Sequence, residues 1–234
     1  MRPEVAARLA IAPDVRLREE DPFTDRWTSV APLRVVGTVS RFELDLNRPR
    51  EQAVYRVPDD AWGLEVWREP LPDDVVERSL ARYDAFHAAV GALFDAVHER
   101  HGPFVVLDLH SYNHRRDGAN APPADAEANP EVNLGTSTLD RARFGRVVDR
   151  FAEALRDGAE RTWDVRMDVK FRGGNFVRWI HERYPGEVVA IAIEFKKTFM
   201  DEWSGAPDEA AIARIGERLA GAVPALLAEL GAAG

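Results

Sequence analysis

The chain has 234 residues, 45% of them apolar, enough to bury a sizeable core as one domain spanning 1–234. A net charge of -9 and a pI near 5.2 exclude general nucleic-acid binding, and the mean hydropathy of -0.33 with no long apolar run excludes a membrane span. With no cysteine, disulfides, thiolate metal sites and a cysteine nucleophile are excluded, so any metal must be held by His, Asp or Glu.

The N-terminus "MRPEVAARLAIAPD" lacks the apolar run and small-residue cleavage site of a secretory signal, and the expectation is a cytoplasmic protein. "LREEDPFTDRWT" brings Glu19, Glu20, Asp21 and Asp25 around a proline turn and reads, taken alone, as an exposed acidic loop. "VSRFELDLNRPR", Val39 to Arg50, alternates like a strand, with Arg41, Glu43, Asp45 and Asn47 on one parity and Phe42, Leu44 and Leu46 on the other. Its Asn47-Arg48 pair suits a clamp for an acidic substrate, because arginine grips carboxylates bidentately; the competing reading is a solvated edge strand.

After the Pro72 start signal, Val76, Leu80, Tyr83, His87, Val90, Phe94 and Val97 recur at helical spacing, predicting a helix from Asp73 to Glu99 that Gly102 and Pro103 end. Phe104 to Leu109 is a short Val-rich run that suits a strand covered on both faces. Asp117 to Thr136 shows no apolar periodicity and reads as a long functional loop, a candidate lid. A helix is expected over Leu139 to Arg156, a strand over Val165 to Phe171, a short helix around Asn175 to Arg183, a central strand over Glu187 to Phe195 and a closing helix over Asp208 to Leu230. Strands alternating with helices predict a layered α/β fold around a parallel or mixed sheet, with ligands gathering at the carboxyl ends of strands.

Both of the strongest strands end in an ionisable residue, His110 after "VVLDL" and Glu194 after "VAIAI". A histidine there is a natural metal ligand and a glutamate a natural general base; the bland alternative is a capping histidine and a glutamate paired with Lys196, Lys197 or an arginine. Asp108, two residues before His110, faces the same way and either orients the imidazole or is satisfied by a local turn. Arg115 and Arg116, just beyond, are substrate-loop candidates. A Walker-type phosphate loop and a G-x-S-x-G elbow are absent from the sequence.

Taken together, "REEDPFTD", "SRFELDLNRPRE", "VVLDLHSYNHRR", "NPEVNLGT", "FRGG" and "IEFKKTFMDEWSG" resemble the N-formylglutamate amidohydrolase-like family, related to zinc carboxypeptidases, succinylglutamate desuccinylases and aspartoacylases. The resemblance implies a three-layer α/β phosphorylase/hydrolase-like fold with a central mixed sheet. It also implies a single zinc ion as cofactor and hydrolysis of a small acidic N-acyl amino acid such as N-formylglutamate. By the same resemblance His110 is a zinc ligand, one of Glu20, Asp21 and Asp25 is the acidic ligand, and Glu194 is the base. Arg41 would polarise the scissile carbonyl, and Asn47 and Arg48 would grip the substrate carboxylate. The chain departs from the family at its start, where an H-x-G-H-like stretch would supply a first histidine ligand, since no histidine precedes position 87. It therefore reads as N-terminally short, lacking a first strand. His114 is then a substitute ligand, and a non-catalytic member that binds an acidic metabolite is the alternative function.

Overall fold

The computed structural model describes residues 1–158 and 161–233. Two runs of β-branched and apolar residues form its longest strands, β1 (Phe104–Tyr112) and β4 (Val188–Lys196), paired in parallel along their whole length with His110 opposite Glu194; β1 is an edge strand, half-buried from Val105 to His110 where the sequence suited a strand covered on both faces. Helices cover both faces, so β4 is buried from Val188 to Ile193 and shows no polar-apolar alternation there. Two short strands complete a mixed sheet in the order β1-β4-β2-β3: β2 (Val132–Gly135) runs antiparallel to β4 and parallel to β3 (Val165–Met167).

Two short helices, α1 (Pro3–Ala6) and α2 (Pro13–Glu19), precede the long α3 (Asp73–His101). On one face α3 and α5 (Asn175–Arg183) pack Val90, Phe94, Val177 and Ile180 against Val188, Ala190 and Ala192. On the other, α4 (Arg141–Arg156) and α6 (Glu209–Ala233) bury Phe144, Val147, Phe151, Leu219 and Leu226 against Ile191, Ile193 and Phe195. The α4 stripe is the expected one, and Asp140 caps it by accepting the Ala142 and Arg143 N–H groups. Among the described residues no helix is long and apolar enough to cross a membrane.

Three expectations are corrected. Residues 39–50 form no strand: turns closed by the Glu43 and Leu44 N–H groups on the Ser40 carbonyl bend the backbone, so Phe42, Glu43, Leu44 and Asp45 are all buried whatever their parity. The candidate lid is shorter than its loop-like composition suggests, because its last four residues before Thr136 are β2, buried between β4 and β3. The strand expected to reach Phe171 stops at Met167. There Asp168 turns left-handed, with φ of 55°, and its carboxylate accepts the Thr136 N–H and hydroxyl, both at 2.7 Å.

Candidate active site

At the carboxyl end of the β1/β4 pair opens a cleft of about 390 Å³, where an α/β sheet is expected to place its ligands. His110 and Glu194 supply one wall from their paired strands, with Asp108 two residues earlier on β1. The facing wall is irregular chain: Asp21 from the turn after α2, then Arg41, Asp45, Asn47, Arg48 and Trp62. Arg116, Lys170 and Arg172 line the rim. A larger cavity of about 690 Å³ lies between α4 and α6, lined by Arg161, Trp163, Arg214 and Arg218 with Lys196 at the end of β4, but its lining holds no histidine and neither His110 nor Glu194.

Each nitrogen of His110 meets a carboxylate. Nδ1 lies 3.4 Å from Asp21 Oδ2; Nε2 lies 3.0 Å from Asp108 Oδ2, an ion-pair contact outside hydrogen-bond geometry, and 3.5 Å from Asn47 Nδ2. Burial alone would lower the imidazole pKa, but Asp108, then Asp21 and Glu194, raise it well above its ordinary value. Asp21 is the converse: burial would raise it, yet His110, Arg41 and Lys197 hold it below the usual carboxylate range. Its Oδ1 accepts from the Ser111 N–H at 2.8 Å and the Ser111 hydroxyl at 3.0 Å, tying the loop to the end of β1. Glu194 is pushed up to about 7, mostly by burial, with Asp21 and Asp108 adding to the rise and His110 opposing it.

Arg41 is anchored and still has a donor to spare. Its Nη1 donates to the Glu19 carbonyl at 3.0 Å and its Nη2 to Asp45 Oδ2 at 3.2 Å, while the buried Nε has no partner. Tyr55 donates to the same Asp45 oxygen, so the carboxylate steadies the guanidinium. Burial would weaken the Arg41 charge, but Asp45 strengthens it. Asn47 is held from behind: its Oδ1 accepts the Phe176 N–H at the start of α5 at 3.0 Å, leaving the Nδ2 side toward His110. That contact requires Gly174, where a Cβ would stand 2.1 Å from Asn47 Oδ1, while Gly173 of the same "FRGG" takes a left-handed φ of 108°.

The remaining candidates separate cleanly. Asp21 alone of the three acidic ligand candidates reaches His110. Glu20 bonds Ser40, Asp25 accepts Thr28 only through its backbone carbonyl, and neither lines the cleft. Arg116 lines the cleft whereas Arg115 does not; its N–H donates to Glu202. His114 is turned away, with Nε2 3.4 Å from Glu202 Oε1. Lys170 and Arg172 join the cleft without any sequence signal of their own, and Lys197 and Asp45 take places there that depend on chain segments far apart in sequence. A partial signal was available for the rim: a polar Asn133 inside β2, fully buried, accepts the Val169 and Lys170 N–H groups and donates to the Phe171 carbonyl, pinning the loop that carries Lys170 and Arg172.

A zinc ion can be tested against these donors. Two ligands about 2.0–2.1 Å from a tetrahedral ion stand about 3.3–3.4 Å apart, the spacing of His110 Nδ1 and Asp21 Oδ2, and Asp108 occupies the place of the carboxylate that steadies a metal-bound histidine. Catalytic zinc takes three protein ligands, however, and no group of three His, Asp or Glu able to hold a metal forms among the described residues. The residues present fit two corners of such a site and do not complete it.

Comparison with known proteins agrees with the fold. A family model described as N-formylglutamate amidohydrolase matches residues 1–200, all but α6 and the turn before it. The crystal structure of N-formylglutamate amidohydrolase from Ralstonia eutropha JMP134 superposes with a TM-score of 0.68 at 21% identity, covering 91% of this chain and 83% of that one. The gene product Atu2144 from Agrobacterium tumefaciens superposes with a TM-score of 0.63 at 18% identity, covering 96% and 86%. No curated protein matches the chain in sequence.

Proposed function

We propose, because the chain belongs to the N-formylglutamate amidohydrolase family, that it hydrolyses the amide of a small acidic N-formyl amino acid such as N-formylglutamate. The observation that carries this reading is the pairing of Glu194 with His110 on adjacent strands, facing the Arg41 guanidinium across the cleft.

In this reading Glu194, a carboxylate poised near neutrality, takes a proton from water as the oxygen attacks the formyl carbon. The Arg41 guanidinium, which lines the cleft, stabilises the oxygen that gains charge as the carbonyl becomes tetrahedral, a contribution of about 3 kcal/mol for one such donor. Glu194 then returns the proton to the nitrogen, the C–N bond breaks, and formate and a free amino acid leave. Asn47 Nδ2 and Arg48 hold the substrate carboxylate. The cleft suits such an anion: although the chain carries -9 overall, Arg41, Arg48, Arg116, Lys170, Arg172 and Lys197 gather around Glu19, Asp21, Asp45 and Glu194.

The reading is tested by incubating the purified chain with N-formyl-L-glutamate and following formate. Turnover that disappears with N-formylglutamate diamide supports both the reaction and the anion clamp; binding of N-formylglutamate without formate release would instead support a non-catalytic member.

A further inference from the structure

Lys197 is 2% exposed and absent from the mechanism above. Its Nζ donates to the Arg18 carbonyl at 2.6 Å, the Glu20 carbonyl at 2.7 Å and Asn113 Oδ1 at 3.0 Å, using every donor an ammonium has on neutral oxygens. Its own N–H bonds the Tyr112 carbonyl at 3.0 Å. Three pieces of chain remote in sequence therefore converge on one atom: the exit of β4, the exit of β1, and the turn after α2.

That turn is where Asp21 sits, outside any helix or strand. Nothing in a ladder places it. The two carbonyls that Lys197 holds bracket Glu19 and immediately precede Asp21, while Asn113 donates in turn to Glu19 Oε1 at 3.2 Å. With Ser111 gripping the Asp21 carboxylate from β1, the loop has one anchor on its side chain and one on its backbone. Burying an ammonium is costly, and it is offset here only by a full set of acceptors. A residue kept at that cost, at a junction beside the reactive groups, has a role that simple packing does not require.

We infer that Lys197 is the positioning residue of this site: by clamping the Arg18 and Glu20 carbonyls to the ends of β1 and β4, it sets Asp21 against His110 and thereby the frame in which Glu194 works. The inference rests on the hydrolytic reading for its kinetic consequence but not for its structural one. Methionine at this position keeps the length and apolar stem of the side chain and removes all three donors. Arginine keeps the charge, but its planar fork cannot reproduce three converging bonds around one nitrogen.

The test compares the wild type with Lys197→Met and Lys197→Arg by steady-state kinetics on N-formylglutamate and by amide hydrogen exchange resolved along the chain. Displacement of a reactive group by about 1 Å costs about 100-fold, so both variants should lose about that much kcat with KM changed by less than about threefold. Exchange should quicken in residues 18–24 while the β1 and β4 amides stay protected. An unchanged kcat in Lys197→Met overturns the proposal, as does exchange that quickens uniformly through β1 and β4, which marks general destabilisation. If the wild type does not hydrolyse N-formylglutamate, the hydrolytic reading falls and exchange alone decides: local quickening in 18–24 upholds the clamp, and an unchanged pattern overturns it.

Discussion

Where β1 and β4 run side by side, His110 and Glu194 are set opposite each other by a continuous parallel ladder, whereas the facing wall, from Asp21 to Trp62, contains no strand at all. On the first wall a side chain's position follows from its place in a pleat anchored by the core. On the second it follows from individual bonds: Asp45 holding Arg41 and Tyr55, Phe176 holding Asn47, Ser111 and Lys197 holding the Asp21 turn. Chemistry carried by the ladder wall should therefore be sensitive to the identity of a side chain, and chemistry carried by the loop wall also to its remote supports.

The largest effect is expected on the ladder wall. Glu194→Gln preserves size and should lower kcat by about 10²- to 10⁴-fold, the usual worth of a general acid–base group, with folding intact by circular dichroism; wild-type turnover in this variant would remove Glu194 from the mechanism. The base must be ionised to act, and burial pushes its pKa up to about 7, so kcat should rise as pH increases through about 7 and fall below it about tenfold per unit. The sign for stability is opposite. A carboxyl raised from 4.5 in the unfolded chain to about 7 in the folded one binds its proton more tightly when folded, so its contribution weakens as pH climbs between those values. Urea titrations at pH 5 and pH 7 of wild type and Glu194→Gln measure it.

On the loop wall, Arg41→Lys keeps the charge but loses the anchored fork, and a decrease of about 10²- to 10³-fold in kcat is expected; a loss confined to KM would make Arg41 a binding residue instead. Metal analysis sharpens the same contrast, since among the described residues one ladder residue and one loop residue supply the two ligand corners found. The chain should lose zinc on dialysis, and near-stoichiometric retention would require a third donor beyond His110 and Asp21. The smallest effect belongs to the rim. Shortening the exposed stretch 117–127, which spares β2, should raise KM a few-fold with kcat nearly unchanged if it covers substrate, and identical kinetics would end its role as a lid.

Much of the ladder wall was legible beforehand. "FVVLDLH" and "EVVAIAIEF" are strands because their β-branched runs cannot be solvated, and the ionisable residue ending each run stands at the sheet's edge for the same reason. The loop wall was not. The alternation of residues 39–50 imitates a strand, but Ser40 turns the chain, and burial of Glu43 beside Arg2 and of Asp45 beside Arg41 shows ion pairing overriding parity. The sequence could not choose among Glu20, Asp21 and Asp25, because the choice rests on Ser111, ninety residues away. Lys197 read as a possible partner for Glu194, whereas its ammonium is spent on the Arg18 and Glu20 carbonyls and Asn113.

By itself, then, the amino-acid order determined α3 to α6, the two long strands and the two ionisable groups at their ends, since hydrophobic periodicity is local and its energetic consequence is burial. Only the tertiary structure decided that β2 enters the sheet between β4 and β3, that Asp21 is the carboxylate beside His110, and that a buried lysine joins the two walls. Those outcomes depend on hydrogen bonds between residues tens to nearly two hundred positions apart, whose partners exist only once the sheet has assembled.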